Sequence, residues 1–269
     1  MVIERVPTTR RPYRILFHPD GKSFFVSGWA DAAVIRHRAE TGERLGVIRT
    51  GPHPTDMVLQ TKPPRLEEGE VIEWKSRLFV AAANTNRVDV FGLKEDMTSI
   101  PLGSINVALT PLQPAGMTPS ALVLNKDQTT LYTVCSDGNL IAASDITGSS
   151  PLSLGYLPTE KYPTAATLLP DGRLFFLNGE SNSATAIVPE LQDRDIVAAR
   201  SAYRDQQLAL PAQRSALQHV IYIIEDRATN GKNAQKLSQE FTRFSHFQMN
   251  GSNISDRVEW AGAAITNDF

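Results

Sequence analysis

The chain has 269 residues, 41% of them hydrophobic, enough to bury a core in one or two domains. Its 27 Lys and Arg against 29 Asp and Glu leave a net charge of −2, so the total charge argues for no nucleic-acid or membrane-surface partner, and none is expected. One cysteine excludes an internal disulfide, and no apolar run nears the roughly 18 residues that span a bilayer.

The first residues, Met1 to Pro7, lack an apolar signal core, so this chain is expected to carry no signal peptide, and its compartment stays open. Arg10, Arg11 and Arg14 then form the one basic cluster, which reads as a solvated leading segment.

From there a unit repeats. Pro12-Tyr13-Arg14-Ile15-Leu16-Phe17 leads through His18-Pro19-Asp20-Gly21 into Ser23-Phe24-Phe25-Val26-Ser27. Pro54 to Leu59 leads, after an insertion, into Arg77 to Ala81. Pro119 to Leu124 leads through Asn125-Lys126-Asp127 into Thr130 to Val134, and Pro163 to Leu169 through Pro170-Asp171-Gly172 into Leu174 to Asn178. Each unit is an apolar strand, a tight turn and an aromatic strand. Asp-Gly between apolar runs is a hairpin signal, because such turns need positive φ.

A third strand follows in every unit, at Ala33–Arg36, Arg87–Phe91, Asn139–Ala142 and Thr185–Val188. A fourth is legible in the first, at Leu45–Ile48. The leading prolines are 42, 65 and 44 residues apart, and two of these spacings match the period of four-stranded propeller blades. The long spacing holds an insertion at 61–75, rich in Pro, Gly and charge, that reads as a surface loop. Cys135 ends a strand-like run and reads as a buried, inert thiol. A β-sandwich is the plainer alternative, but sandwiches do not repeat one motif at fixed spacing.

The pattern changes after about residue 190. Residues 198–215 are polar and read as a linker. Val220 to Ile224 is a continuous apolar run, as in a strand buried on both faces, and ends at Glu225-Asp226-Arg227. Leu237, Phe241, Phe244 and Phe247 then recur at near-helical spacing. The expected fold is therefore mainly β: a propeller-like array of four-stranded blades over 1–197, then a short α/β segment over 216–269.

Two resemblances follow from these residues. Phe24-Phe25-Val26-Ser27, Leu78 to Asn84, Ala39-Glu40-Thr41-Gly42-Glu43 and Gly51 to Val58 resemble the YVTN-type β-propeller repeat proteins. Seven blades are common there, so the resemblance implies that four units are part of a larger propeller. Residues 216–269 resemble the start of a phosphoesterase domain of the alkaline-phosphatase-like superfamily, through His219 to Arg227 and Phe247 to Ala264. Together they resemble a two-domain bacterial type, often periplasmic or secreted.

The second resemblance implies divalent-metal chemistry. Metal ions neutralise phosphoryl oxygens and activate a nucleophile, and hard carboxylates suit such metals. It makes Glu225 and Asp226 candidate metal ligands, and Asp256 and Trp260 candidate binding residues. The sequence departs from the family: Ala228 stands at a hydroxyl position, Asn230 at an Asp, Arg257 at a Gly, and the His beside Asp256 is absent. The later Asp and His ligands of such domains are not in the 269 residues. The simpler account of Glu225 and Asp226 is an acidic strand end paired with Arg227.

None of His18, His37, His53, His219 and His246 has metal-ligand spacing, and no Gly-rich phosphate loop occurs. His53 and Asp56 are weaker candidates for a propeller rim. Lactonase-like hydrolysis on the propeller finds no acid or base cluster. Two functions remain in view: a binding or scaffold propeller that meets a protein or small molecule at its rim, and a metal-dependent phosphate-ester hydrolase of which this is the front part.

Overall fold

A computed structural model describes residues 5–192 except 63, 67, 97, 110–112 and 114. The chain divides into two units between Gln192 and Asp193, and the described residues lie in the first. The predicted linker and α/β segment, with Glu225, Asp226, Asp256 and Trp260, lie outside them.

Among the described residues, fifteen strands form four antiparallel meanders, each a separate sheet. Blade 1 holds β1 (Pro12–Phe17), β2 (Ser23–Gly28), β3 (Ala33–Arg38) and β4 (Arg44–Arg49). Blade 2 holds β5 (Pro54–Gln60), β6 (Ser76–Ala82), β7 (Arg87–Leu93) and β8 (Ser99–Asn106). Blade 3 holds β9 (Pro119–Leu124), β10 (Thr130–Cys135), β11 (Leu140–Asp145) and β12 (Leu152–Pro158). Blade 4 has three strands among the described residues, β13 (Pro163–Leu168), β14 (Leu174–Asn178) and β15 (Ser183–Ile187). The expected fourth strand is absent there. The chain instead turns back, and Gln192 and Tyr156 exchange backbone hydrogen bonds of 2.9 and 2.7 Å.

Successive first strands lie side by side: β1 by β5, β5 by β9 and β9 by β13. Period-two alternation gives each blade one face toward the preceding blade and one toward the next. Phe25 and Val34 of blade 1 pack on Met57, Leu59, Leu78 and Val80 of blade 2. Tyr132, Val134 and Ile141 of blade 3 pack on Leu174 and Phe176 of blade 4.

At each junction a hydroxyl group of one blade donates to the first strand of the next. Ser27 Oγ donates to Thr55 O at 3.0 Å, Thr55 Oγ1 to Pro119 O at 3.1 Å, and Ser136 Oγ to Pro163 O at 2.6 Å. One polar group thus fixes the stagger of each blade on the next.

The insertion at 61–75 lies between β5 and β6 and has no strand among its described residues. It is not wholly a surface loop, because Trp74 is buried against Gly92. Its start is pinned to blade 3: Gln128 Oε1 accepts from Thr61 N at 2.8 Å and Lys62 N at 3.0 Å. Below it Arg77 is fully buried, donating to Gln60 Oε1 at 2.6 Å, Gly148 O at 2.9 Å and Ile146 O. Burial alone pulls its guanidinium down to about 10. Cys135 is buried and its thiol is pushed far up by desolvation, as an inert core residue should be.

Candidate rim site

The residue before each leading proline has positive φ: Arg11 at 51°, His53 at 56°, Thr118 at 51° and Tyr162 at 56°. This is the left-handed region, which none of these side chains prefers. The same hydrogen bond accounts for all four. Their carbonyls accept from Trp29 N at 3.1 Å, Ala83 N at 3.0 Å, Ser136 N at 3.0 Å and Gly179 N at 2.8 Å. These donors directly follow the second strands, so every crossing is locked onto the turn between second and third strands. The register agrees, since Pro12 faces Gly28, Pro54 faces Ala82, Pro119 faces Cys135 and Pro163 faces Asn178.

The result is one end of the blades where four fixed backbone positions carry different side chains. On blades 1 and 2 they form a stack. The Trp29 and His53 rings lie 3.8 Å apart and 8° from parallel, and Arg11 Cζ stands 5.5 Å from the Trp29 ring. Trp29 and His53 are half-buried and Arg11 is exposed. Beside them Arg10 Nε donates to Asp31 Oδ1 at 2.6 Å.

On blades 3 and 4 the rim is acidic and phenolic. Thr118 Oγ1 donates to Asp137, and Lys161 Nζ pairs with Glu180 at 2.5 Å. The Tyr162 phenol is held above its ordinary value, first by burial and then by Asp137, Glu180 and Tyr13. Asn139 Oδ1 accepts from Tyr162 N at 2.8 Å and so fixes the fourth crossing to the turn of blade 3.

Between these halves the first strands hold Asp56. Its Oδ1 pairs with Arg14 Nε at 3.0 Å and accepts from Met57 N at 2.9 Å, and its Oδ2 accepts from Leu122 N at 2.9 Å. One carboxylate therefore ties blades 1, 2 and 3. Burial raises its pKa despite the Leu122 N–H, Arg14 and the Met57 N–H, which all oppose the shift.

The structure thus puts His53 on the rim and gives Asp56 a joining role in the first strands. Arg11, expected as plain solvated charge, belongs to the rim stack, whereas Arg14 pairs with Asp56. Trp29 was not singled out by the sequence at all; its signal is an aromatic in the first position after a second strand. His37 is buried between Thr8 Oγ1 at 3.0 Å and Gly42 O at 2.8 Å.

A groove of about 400 Å³ lies elsewhere, between residues 5–8 and the β3–β4 turn. Among the described residues no group of three or more His, Cys, Asp or Glu is placed to hold a metal ion. Among them no helix is long and apolar enough to cross a membrane.

No protein-family model matches the sequence, and neither does any curated protein. Solved structures do match. The β-propeller domain of Cps50 (Swd1) from Myceliophteria thermophila superposes with a TM-score of 0.52 at 9% identity, over 69% of this chain and 59% of that one. The fold is a β-propeller. A protein described as a 6-phosphogluconolactonase from Bacteroides uniformis gives 0.51 at 17% identity, over 65% of this chain and 49% of its own. Hydrazine synthase of Kuenenia stuttgartiensis gives 0.50 at 16% identity, over 67% and 59%. The propeller here spans about half to three-fifths of these chains. At such identities they share its fold and lend it no activity.

Proposed function

We propose that residues 5–192 are a binding propeller that meets a partner or ligand at the crossing rim. The observation that carries this is the repeated lock. The same strained φ and the same backbone hydrogen bond recur four times, and they hold four unlike side chains, Arg11, His53, Thr118 and Tyr162, in fixed places. A rigid scaffold with varied side chains at equivalent positions is how loop-borne recognition works. The cationic, aromatic half and the acidic, phenolic half suit a ligand with both charges, such as an extended peptide.

The test is a binding screen of the full chain against a displayed peptide library. Trp29→Ala and Tyr162→Ala should each lose the selected peptides, and Asp171→Ala, in the turn after β13, should keep them. Selected peptides that ignore both rim substitutions would sink this reading.

A second reading rests on the sequence resemblance of residues 216–269 to the start of a metal-dependent phosphoesterase domain. In it Glu225 and Asp226 would hold a divalent ion, which supplies charge neutralisation at a phosphoryl group, and Asp256 and Trp260 would lie near the substrate. Hydrolysis of a chromogenic phosphate ester with added divalent metals, lost in the Glu225→Ala/Asp226→Ala double variant, is the outcome it requires. No turnover under any metal would end it.

A further inference from the structure

The stack on blades 1 and 2 holds one guanidinium from two sides. Arg11 Cζ stands 5.5 Å from the Trp29 ring, and the Trp29 N–H donates to Arg11 O at 3.1 Å, so the same residue fixes both its side chain and its backbone. His53, flat on the indole at 3.8 Å, limits where that ring can go. Contact with an aromatic ring uses none of the N–H groups of a guanidinium. They remain as a fork that meets two oxygens of a carboxylate or a phosphate at once.

Other cations of the rim and of the strands beneath it are already taken. Arg10 pairs with Asp31 at 2.6 Å, Arg14 with Asp56 at 3.0 Å, Arg87 with Asp89 at 3.1 Å and Lys161 with Glu180 at 2.5 Å. Arg11 has no ion pair and no side-chain hydrogen bond among the described residues. The carboxylates near it are committed. Asp31 is held below the usual carboxylate range by the Arg10 N–H, the Arg10 guanidinium and Arg49, and Asp89 takes Gly51 N at 2.6 Å besides Arg87. Across the rim of blades 1 and 2, Arg10, Arg11, Arg49 and Arg87 stand against Asp31 and Asp89, a surplus of positive charge. On blades 3 and 4, Asp137, Glu160 and Glu180 stand against Lys161, a surplus of negative charge. Of the four crossing residues, Arg11, His53, Thr118 and Tyr162, only Arg11 carries a permanent charge.

We propose that the Arg11 guanidinium is the oxyanion receptor of the rim. It takes a carboxylate or a phosphate monoester carried by an extended peptide, and the basic residues of that peptide lie toward Asp137 and Glu180. This rests on the reading of the rim as a peptide-binding surface and gives the bound peptide a direction. Arg11 binds the oxyanion. Trp29 positions Arg11 before the peptide arrives, which lowers the ordering cost of binding, and His53 positions Trp29.

Panning a displayed peptide library against the full chain, wild type and Arg11→Glu side by side, tests this. Wild type should select Asp or Glu at one fixed position, and Arg11→Glu should select Lys or Arg there. On synthetic copies of a selected peptide, changing that acidic residue to its amide should raise Kd about three- to tenfold for wild type and leave Kd for Arg11→Gln unchanged. Arg11→Lys keeps the charge without the fork, so it should bind the acidic peptide more weakly than wild type does. Trp29→Leu keeps the backbone N–H and removes only the ring, so it should lose most of the preference for the acidic peptide over its amide. A copy with phosphoserine at that position separates the two oxyanions: tighter binding than the acidic peptide assigns the site to phosphate, and weaker binding to carboxylate. Arg11 is exposed, and His53, Thr118 and Tyr162 adopt the same backbone conformation at the other crossings, so its variants are expected to fold. Far-UV circular dichroism checks this. Peptides that need Trp29 and Tyr162 but have no acidic position, or keep it with Arg11→Glu, overturn the oxyanion site and leave the rim reading standing. Peptides that ignore both rim substitutions end both.

Discussion

Asp56 shows how one residue can serve three blades and what that does to stability. Its carboxylate takes two backbone N–H groups and the Arg14 guanidinium, but burial outweighs them and lifts its pKa above 3.8. A folded-state pKa above the unfolded one means that the native state holds its proton more tightly. The contribution of Asp56 is therefore full below pH 3.8 and declines as pH rises through the raised value. Asp56→Asn should cost about 1–3 kcal/mol, because an amide offers one acceptor oxygen and leaves one of the N–H groups of Leu122 and Met57 unpaired. Urea unfolding of both proteins between acid and neutral pH would show the margin of wild type over variant shrinking as pH rises. A margin that grows instead means that the Arg14 pair outweighs burial.

At the scale of the strand and turn, the blades repeat more closely than their sequences do. Ala32, Asn139 and Asn182 sit just before a third strand at φ of 48°, 52° and 49°. Asn tolerates this conformation and Ala does not, since the left-handed region costs an ordinary residue about 1–2 kcal/mol. Ala32→Asn should therefore stabilise the protein by about 0.5–1 kcal/mol, visible as a rise of about 1–4 °C in Tm by calorimetry. A fall would show that the Ala32 methyl is already well accommodated. The fourth strands hide a repeat as well. Leu45-Gly46, Leu102-Gly103 and Leu154-Gly155 stand at the same bulge opposite Arg36, Val90 and Ala143. Each is followed two residues later by a buried Ile48, Ile105 or Leu157. The bulge breaks the alternation that marks a strand in all three, and only the first was legible in advance, because the turn Glu40-Thr41-Gly42-Glu43 announces it. The leading prolines, the Asp-Gly turns and the insertion were legible since each is a local backbone requirement. The rim was not. The residues before the prolines share a conformation and no chemistry, and Trp29 meets His53 only after blade 1 packs on blade 2.

For the whole molecule, the packing of each blade sets the order in which parts come undone. Among the described residues, blades 2 and 3 pack on a neighbouring blade at both faces, and blades 1 and 4 at one. Ile15, Phe17 and Leu177 leave uncollected much of the roughly 1.5–3 kcal/mol that burying each such side chain supplies. Repeats that touch only their neighbours gain stability junction by junction, so end units open before central ones. In dilute protein, amide hydrogen exchange should therefore be fastest in β13–β15, which lack an outer strand among the described residues, and slowest in β6, β7, β10 and β11. β2 and β3 should lie between, because residues 5–9 cover part of their free face. Equal protection in all four blades of dilute protein would show that they open as a single cooperative body.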